Sequence, residues 1–139
     1  MPDSIGTIVR RFVDEVINNG IYSTLHELVH PGYVYRSPDQ ELHGQKALEA
    51  LFTSYRRGLP DLNATIDDLI VSGDKVAIAI TLSGTHTGDL MGIPATGKPL
   101  KVHGMVLSRL ADGKIVEEWE ILDMRGMLQQ LGVESLKAH

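Results

Sequence analysis

Four acidic side chains crowd one short stretch of the chain: Glu117, Glu118, Glu120 and Asp123 flank Trp119. Carboxyls do general acid and base work when one of them is kept out of water. With regular strand alternation, Trp119 and Asp123 share a face with Ile115, while Glu118 and Glu120 take the other. An Asp facing an apolar pocket beside an indole has its charged form desolvated, and its pKa rises toward neutral pH. Asp123 also stands directly before Met124, Met127, Leu128 and Leu131, where it can cap a helix through free backbone amides. The two roles are compatible.

Other side chains carry weaker signals. His86, in Gly84-Thr85-His86-Thr87-Gly88, sits where a strand gives way to a loop. There an imidazole either takes a proton and polarises a carbonyl, or bonds the loop backbone and fixes the turn. His103 falls in register with Lys101, Met105 and Arg109, so it pairs with a carboxylate across the sheet or lies on the surface. Tyr33 and Tyr35 offer phenolic hydrogen bonds to an oxygenated ligand, or pack as rim residues. His26 and His30 share a helix face, but Pro31 ends the helix at once and no third ligand is fixed by spacing, so no metal is expected. The loop from Asp89 to Lys98 has neither a phosphate-cradling pattern nor a dinucleotide fingerprint, and the chain has no nucleophile elbow. Leu90, Met91 and Ile93 make that loop an apolar flap whose thioether adapts to irregular ligands.

These residues need elements to hold them. Ile5, Ile8, Val9, Phe12, Val13, Val16 and Ile17 recur at helical spacing, with Asp3 or Ser4 as cap and Gly20 as a left-handed stop. A short helix opens at Ser23 and must end before Pro31. Tyr33-Val34-Tyr35 reads as a strand, followed by polar turn residues from Ser37 to Gln40. Gly44 precedes a third helix with the stripe Leu48, Leu51, Phe52 and Tyr55. The period then changes to two over 65–71, 75–87, 100–110 and 114–122, with glycine-bearing hairpins at Ser72-Gly73-Asp74 and Ala111-Asp112-Gly113. A closing helix ends before Gly132. Helices first, strands next and one last helix describe an α+β domain.

Composition narrows the classes. The 139 residues suit one domain, 1–139, with no repeat or linker. Thirteen basic against eighteen acidic residues give a net charge of −5 without a basic face, which argues against nucleic acid. No apolar run approaches the roughly 20 residues of a membrane span, and the start does not read as a signal peptide, so a cytoplasmic protein is expected. With no cysteine there is no disulfide, thiolate metal site or cysteine nucleophile.

The segments Gly84 to Gly88, Met91 to Lys98, Asp112 to Trp119, Asp123 and Gln130-Leu131-Gly132 together resemble the SnoaL-like polyketide cyclase family. That family sits within the superfamily of nuclear transport factor two, ketosteroid isomerase and limonene epoxide hydrolase. The resemblance implies a cone-shaped α+β barrel: a curved, mainly antiparallel sheet wrapped on three N-terminal helices, with a short C-terminal helix. It also implies a deep apolar pocket open at one end, no cofactor, and a homodimer formed through the outer sheet face. The cyclases' Asp on the last strand corresponds to Glu120 here. Their His on the preceding strand corresponds to Val106, which cannot move a proton, so the cyclase mechanism requires His103 or His86 as substitute. A bulge would bring Glu120 inward and turn Asp123 to a different face, and both acids stand as candidates. Two functional classes remain. One is a cofactor-independent acid/base enzyme of cyclase, isomerase or hydratase type, acting on a small apolar oxygenated molecule. In it Asp123 or Glu120 is the acid/base, His86 or His103 the partner, and Trp119, Tyr35, Tyr33 and Met91 contact the ligand. The other is a non-catalytic ligand-binding or dimerisation module of the same fold.

Overall fold

A computed structural model describes residues 4–133. Helix α1 spans Ile5–Arg11, and the Ser4 hydroxyl accepts from the Thr7 amide at its start. Asp3, the other expected cap, lies outside the described residues. From Phe12 to Asn18 the helix widens into a π-helix. Ile8, Val9, Phe12, Val13, Val16 and Ile17 are nevertheless all buried. A π-turn moves each hydrogen bond by one residue and leaves the apolar stripe facing the core, which is why spacing alone does not reveal it. The Asn18 amide then bonds both the N–H and the carbonyl of Ala64, stapling the helix end to the sheet. Helix α2 (Tyr22–Leu28) and helix α3 (Gln45–Gly58) follow, and α4 (Met124–Leu131) closes the described chain.

Among the described residues, six strands form one sheet: β1 (Val29–Arg36), β2 (Glu41–His43), β3 (Asn63–Ser72), β4 (Lys75–Thr85), β5 (Pro99–Ala111) and β6 (Lys114–Leu122). Their order is β2-β1-β6-β5-β4-β3. Only β1 and β6 run parallel. The α+β class and the mainly antiparallel sheet are as expected, with one parallel pair; the sheet does not close into a barrel. Strand β1 starts four residues earlier than Tyr33, and β2 pairs with it through Val34, Tyr35 and Arg36. Neither feature shows in alternation, because Pro31 and Gly32 interrupt the first and three residues are too few to show a period in the second.

The helices cover one sheet face. Val76, Ile78 and Ile80 of β4 point there and are buried. The other face leaves Ile70, Met105, Trp119 and Ile121 in the open. One irregularity decides what β6 presents. Arg109 pairs with Glu117, yet the next residue, Leu110, pairs with Ile115, so Val116 is an extra residue. This bulge reverses the alternation. Ile115 points inward before it, and after it Glu118 and Glu120 line the interior while Trp119 faces out.

Candidate active site

Between the helices and the inner sheet face lie three adjoining pockets that share Tyr55, a wide mouth and two narrow arms. The mouth holds about 370 Å³ and is bordered by Tyr35, Asp39, Tyr55, Met91, Glu120 and Met124, among others. That is large enough for a small molecule, since such sites run from roughly 300 to 1,000 Å³. One arm, about 30 Å³, passes Phe12, Ile78 and Val106 and reaches Glu118 and Glu120. The other, also about 30 Å³, is apolar and runs between Leu59, Leu90, Val102 and Met127. Among the described residues, no lysine, arginine or histidine lines the mouth or either arm.

The polar groups form two rungs across neighbouring strands. In the inner rung, the Tyr33 hydroxyl of β1 donates to Glu118 Oε1 at 2.6 Å, and the Ser108 hydroxyl of β5 donates to Oε2 at 2.6 Å. Tyr33 and Ser108 have no exposed surface and Glu118 is 7% exposed. In the outer rung, the Tyr35 hydroxyl donates to Glu120 Oε1 at 2.5 Å. The β5 residue opposite Glu120 is Val106, which offers no donor. Glu120 Oε2 therefore has no protein partner among the described residues, and Glu120 borders the mouth as well as the inner arm.

Electrostatics follows from this placement. Burial pushes the Glu120 carboxyl up to about 7; the Tyr35 bond holds it down in part, and nearby Glu118 pushes it further up. Burial also raises Glu118, while the hydroxyls of Ser108 and Tyr33 pull it back. Glu117, on the outer face, goes the other way. Bonds from Arg109 at 2.5 Å and Arg36 at 2.8 Å hold it below the usual carboxylate range. Burial raises the phenols of Tyr35 and Tyr55, so both stay neutral donors at any physiological pH.

The bulge corrects two of the expected positions. Trp119 is no pocket wall: its ring lies outside, with the Arg36 guanidinium carbon 5.6 Å from its centroid. Asp123 does not face the cavity. Its carboxylate caps α4, accepting from the Gly126 amide at 2.9 Å. His103 also lies on the outer face, its Nδ1 3.0 Å from the Thr81 hydroxyl, which donates to Asp67. His86 is fully buried but serves the loop, with Nδ1 2.9 Å from the Thr96 hydroxyl and Nε2 3.2 Å from the Ile93 carbonyl. Neither histidine reaches the cavity to replace the one missing at Val106. Tyr35, Met91 and Glu120 do line it, whereas Tyr33, expected at the ligand, lies behind the wall with its hydroxyl on Glu118.

Met91 is placed by a tight turn. Leu90 and Ile93 exchange both backbone hydrogen bonds, with Met91 (φ 52°) and Gly92 (φ 81°) as the two central residues. Gly92 meets the demand of that turn without strain, and Met91 accepts it, its side chain bordering the mouth. Gly88 seats the loop: a Cβ there would meet the Arg57 carbonyl oxygen at 2.1 Å, so no other residue lets the loop lie on the end of α3.

Sequence reasoning missed Ser108 as a partner of Glu118. A signal existed, because Ser108 interrupts the apolar row Leu100, Val102, Val106 and Leu110 on one face of β5.

Comparison with known proteins agrees with this architecture. The chain is 33% identical over 132 residues to the aklanonic acid methyl ester cyclase DauD of Streptomyces sp. (strain C5), covering 90% of this chain and 80% of that protein. A SnoaL-like protein of Jannaschia sp. CCS1 superposes with a TM-score of 0.85 at 25% identity, over 91% of this chain and 90% of the other. IdmH of Streptomyces antibioticus gives a TM-score of 0.83 at 32% identity, over 94% of this chain and 100% of the other. The family model described as SnoaL-like polyketide cyclase matches residues 7–131. From helix α1 to the end of α4, this chain belongs to the SnoaL-like polyketide cyclase family.

Proposed function

We propose that the protein is a cofactor-independent acid/base enzyme that closes a ring in, or isomerises, a compact apolar molecule bearing carbonyl oxygens. The observation that carries this reading is Glu120: a carboxyl raised to about 7, fixed on one oxygen by Tyr35 and open on the other toward a 370 Å³ mouth. A general acid or base works best when its pKa lies near the working pH. In its ionised form Glu120 takes a proton from a carbon next to a carbonyl, leaving an enolate. The enolate carbon then attacks a second carbonyl, and the resulting alkoxide recovers the proton from Glu120. One carboxyl thus serves both half-reactions, and no histidine is needed opposite it.

The neighbouring groups fit that role. Tyr35 and Tyr55 supply neutral phenols beside Glu120, and Met91 and Met124 give the rim an adaptable apolar edge. The reading includes a cytoplasmic setting and a homodimer in which a second copy covers Ile70, Met105, Trp119 and Ile121 on the outer sheet face; their exposure supports the dimer. The alternative, a non-catalytic ligand-binding module, draws its support from Val106, since a pocket that only holds a ligand needs no second proton carrier.

Turnover separates the two. Purified protein is incubated with aklanonic acid methyl ester and nogalonic acid methyl ester, the compounds named for its relatives, and ring closure is followed by chromatography and absorbance. The enzyme reading expects turnover that Glu120→Gln lowers by about 10² to 10⁴-fold while ligand binding persists. Binding without turnover by the wild type establishes the module instead.

A further inference from the structure

The reaction proposed above uses Glu120 and leaves its neighbour Glu118 without a task. Burying a second carboxyl is costly, and replacing it with an apolar residue would remove that cost. Its surroundings are specific. Tyr33 and Ser108 are fully buried, and each has Glu118 as its only side-chain hydrogen-bond partner among the described residues. A hydroxyl that accepted a proton from Glu118 would leave its own hydrogen without a protein side-chain acceptor among the described residues, and neither hydroxyl lines the mouth or the arms, where a water would replace one. Both hydroxyls therefore donate, one to each carboxylate oxygen. Glu118 is thereby occupied on both sides as an anion. Glu120, with one donor and one free oxygen, is the acid left to carry a proton.

Position separates the two acids further. Glu120 borders the mouth, whereas Glu118 borders only the narrow arm, where a ligand carbon skeleton does not fit. Alternate residues on a strand are roughly 7 Å apart. At that range, with Glu118 buried and Glu120 half-buried, two like charges repel more strongly than they would in water. Around them the titratable groups are Tyr33 and Tyr35 from β1, Tyr55 from α3 and Asp39 at the mouth; the π-helix adds only Phe12, Val13 and Ile17. None of these supplies a positive charge to offset the repulsion.

We propose that Glu118 is a positioning residue: held as an anion by Tyr33 and Ser108, it keeps the proton of the pocket floor on Glu120. This rests on Glu120 as the working acid, but it is tested without turnover. Protein carrying ¹³C-labelled glutamate carboxyls is titrated by NMR, with Glu118 and Glu120 assigned from the signals lost in E118Q and E120Q. In the wild type, Glu118 is expected to ionise at a lower pH than Glu120. In E118Q, the Glu120 midpoint is expected to fall by on the order of one pH unit, the effect of removing one nearby like charge. Y33F, which keeps the carboxyl but removes one of its two donors, is expected to lower the Glu120 midpoint by a smaller amount.

A wild-type Glu118 that ionises after Glu120 overturns the proposal; where a variant does not fold, the two signals are assigned instead by through-bond correlation of each carboxyl to its own sequentially assigned backbone, so this outcome is read from the wild type alone. So does a Glu120 midpoint that stays or rises in a folded E118Q. Failure of the enzyme reading looks different: the NMR shifts appear as described while no compound is turned over.

Discussion

Two glutamates two residues apart on β6 face the same interior, yet their surroundings assign them opposite states. Glu118 meets a hydroxyl on each side, from Tyr33 and Ser108. Among the described residues Glu120 has Tyr35 as its one hydrogen-bond donor, because the facing β5 residue is Val106. The difference teaches that burial alone does not decide which acid keeps a proton; the count of donors opposite each oxygen does. One serine-to-valine step along β5 separates a fixed anion from a free acid.

The largest expected effect breaks the outer rung. Glu120→Gln keeps the shape and the Tyr35 contact but cannot exchange a proton, so kcat should fall by about 10² to 10⁴-fold with KM little changed. Steady-state kinetics checks this; an equal loss spread into KM would assign Glu120 to binding instead.

Two stability measurements come next. Glu120 keeps its proton in the native state up to about pH 7, whereas the unfolded chain releases it near 4.5. The native state then binds more protons between those values, so stability is full below 4.5 and is lost as pH rises through 7. Glu120→Gln removes that loss. It should be more stable than the wild type by about 3 kcal/mol at pH 8, a gap that closes by pH 4.5, as read from urea midpoints. Tyr33→Phe strips one donor from a buried carboxylate and should cost about 2 kcal/mol at pH 8 in the same assay. A neutral result there would mean that the inner rung is not an anion site.

Smaller effects lie away from the rungs. Met91→Ala removes an apolar edge of the mouth and should raise KM about fivefold, roughly 1 kcal/mol, with kcat preserved. Met105→Lys places a charge on the exposed outer face. It should convert the proposed homodimer to monomer in light scattering while leaving the Glu120 titration midpoint unchanged; a wild type that is already monomeric contradicts the dimer.

Much of the frame was legible in the residues. The helical stripes of Phe12 and Phe52 and the alternation of Val76, Ile78 and Ile80 depend on local periodicity, and the structure follows them. Glu120 stood among the candidates because its alignment with the family does not depend on which way it points. The assignment of Trp119 to the pocket wall and the pocket role of Asp123 failed at one extra residue, Val116, since a bulge changes phase without changing composition; the other readings given for Asp123, a helix cap turned away from the pocket by a bulge, are what the structure shows. Tyr33 and Glu118 are 85 residues apart. Their meeting follows from the parallel pairing of β1 with β6, which no local pattern announces.

The most direct measurement is the pH titration of the Glu120 carboxyl in the wild-type protein by ¹³C NMR. A midpoint near 7 is predicted, as a desolvated acid with a single donor and an anionic neighbour requires. A midpoint near 4.5 would show a hydrated carboxylate and contradict its role as the proton carrier of the pocket.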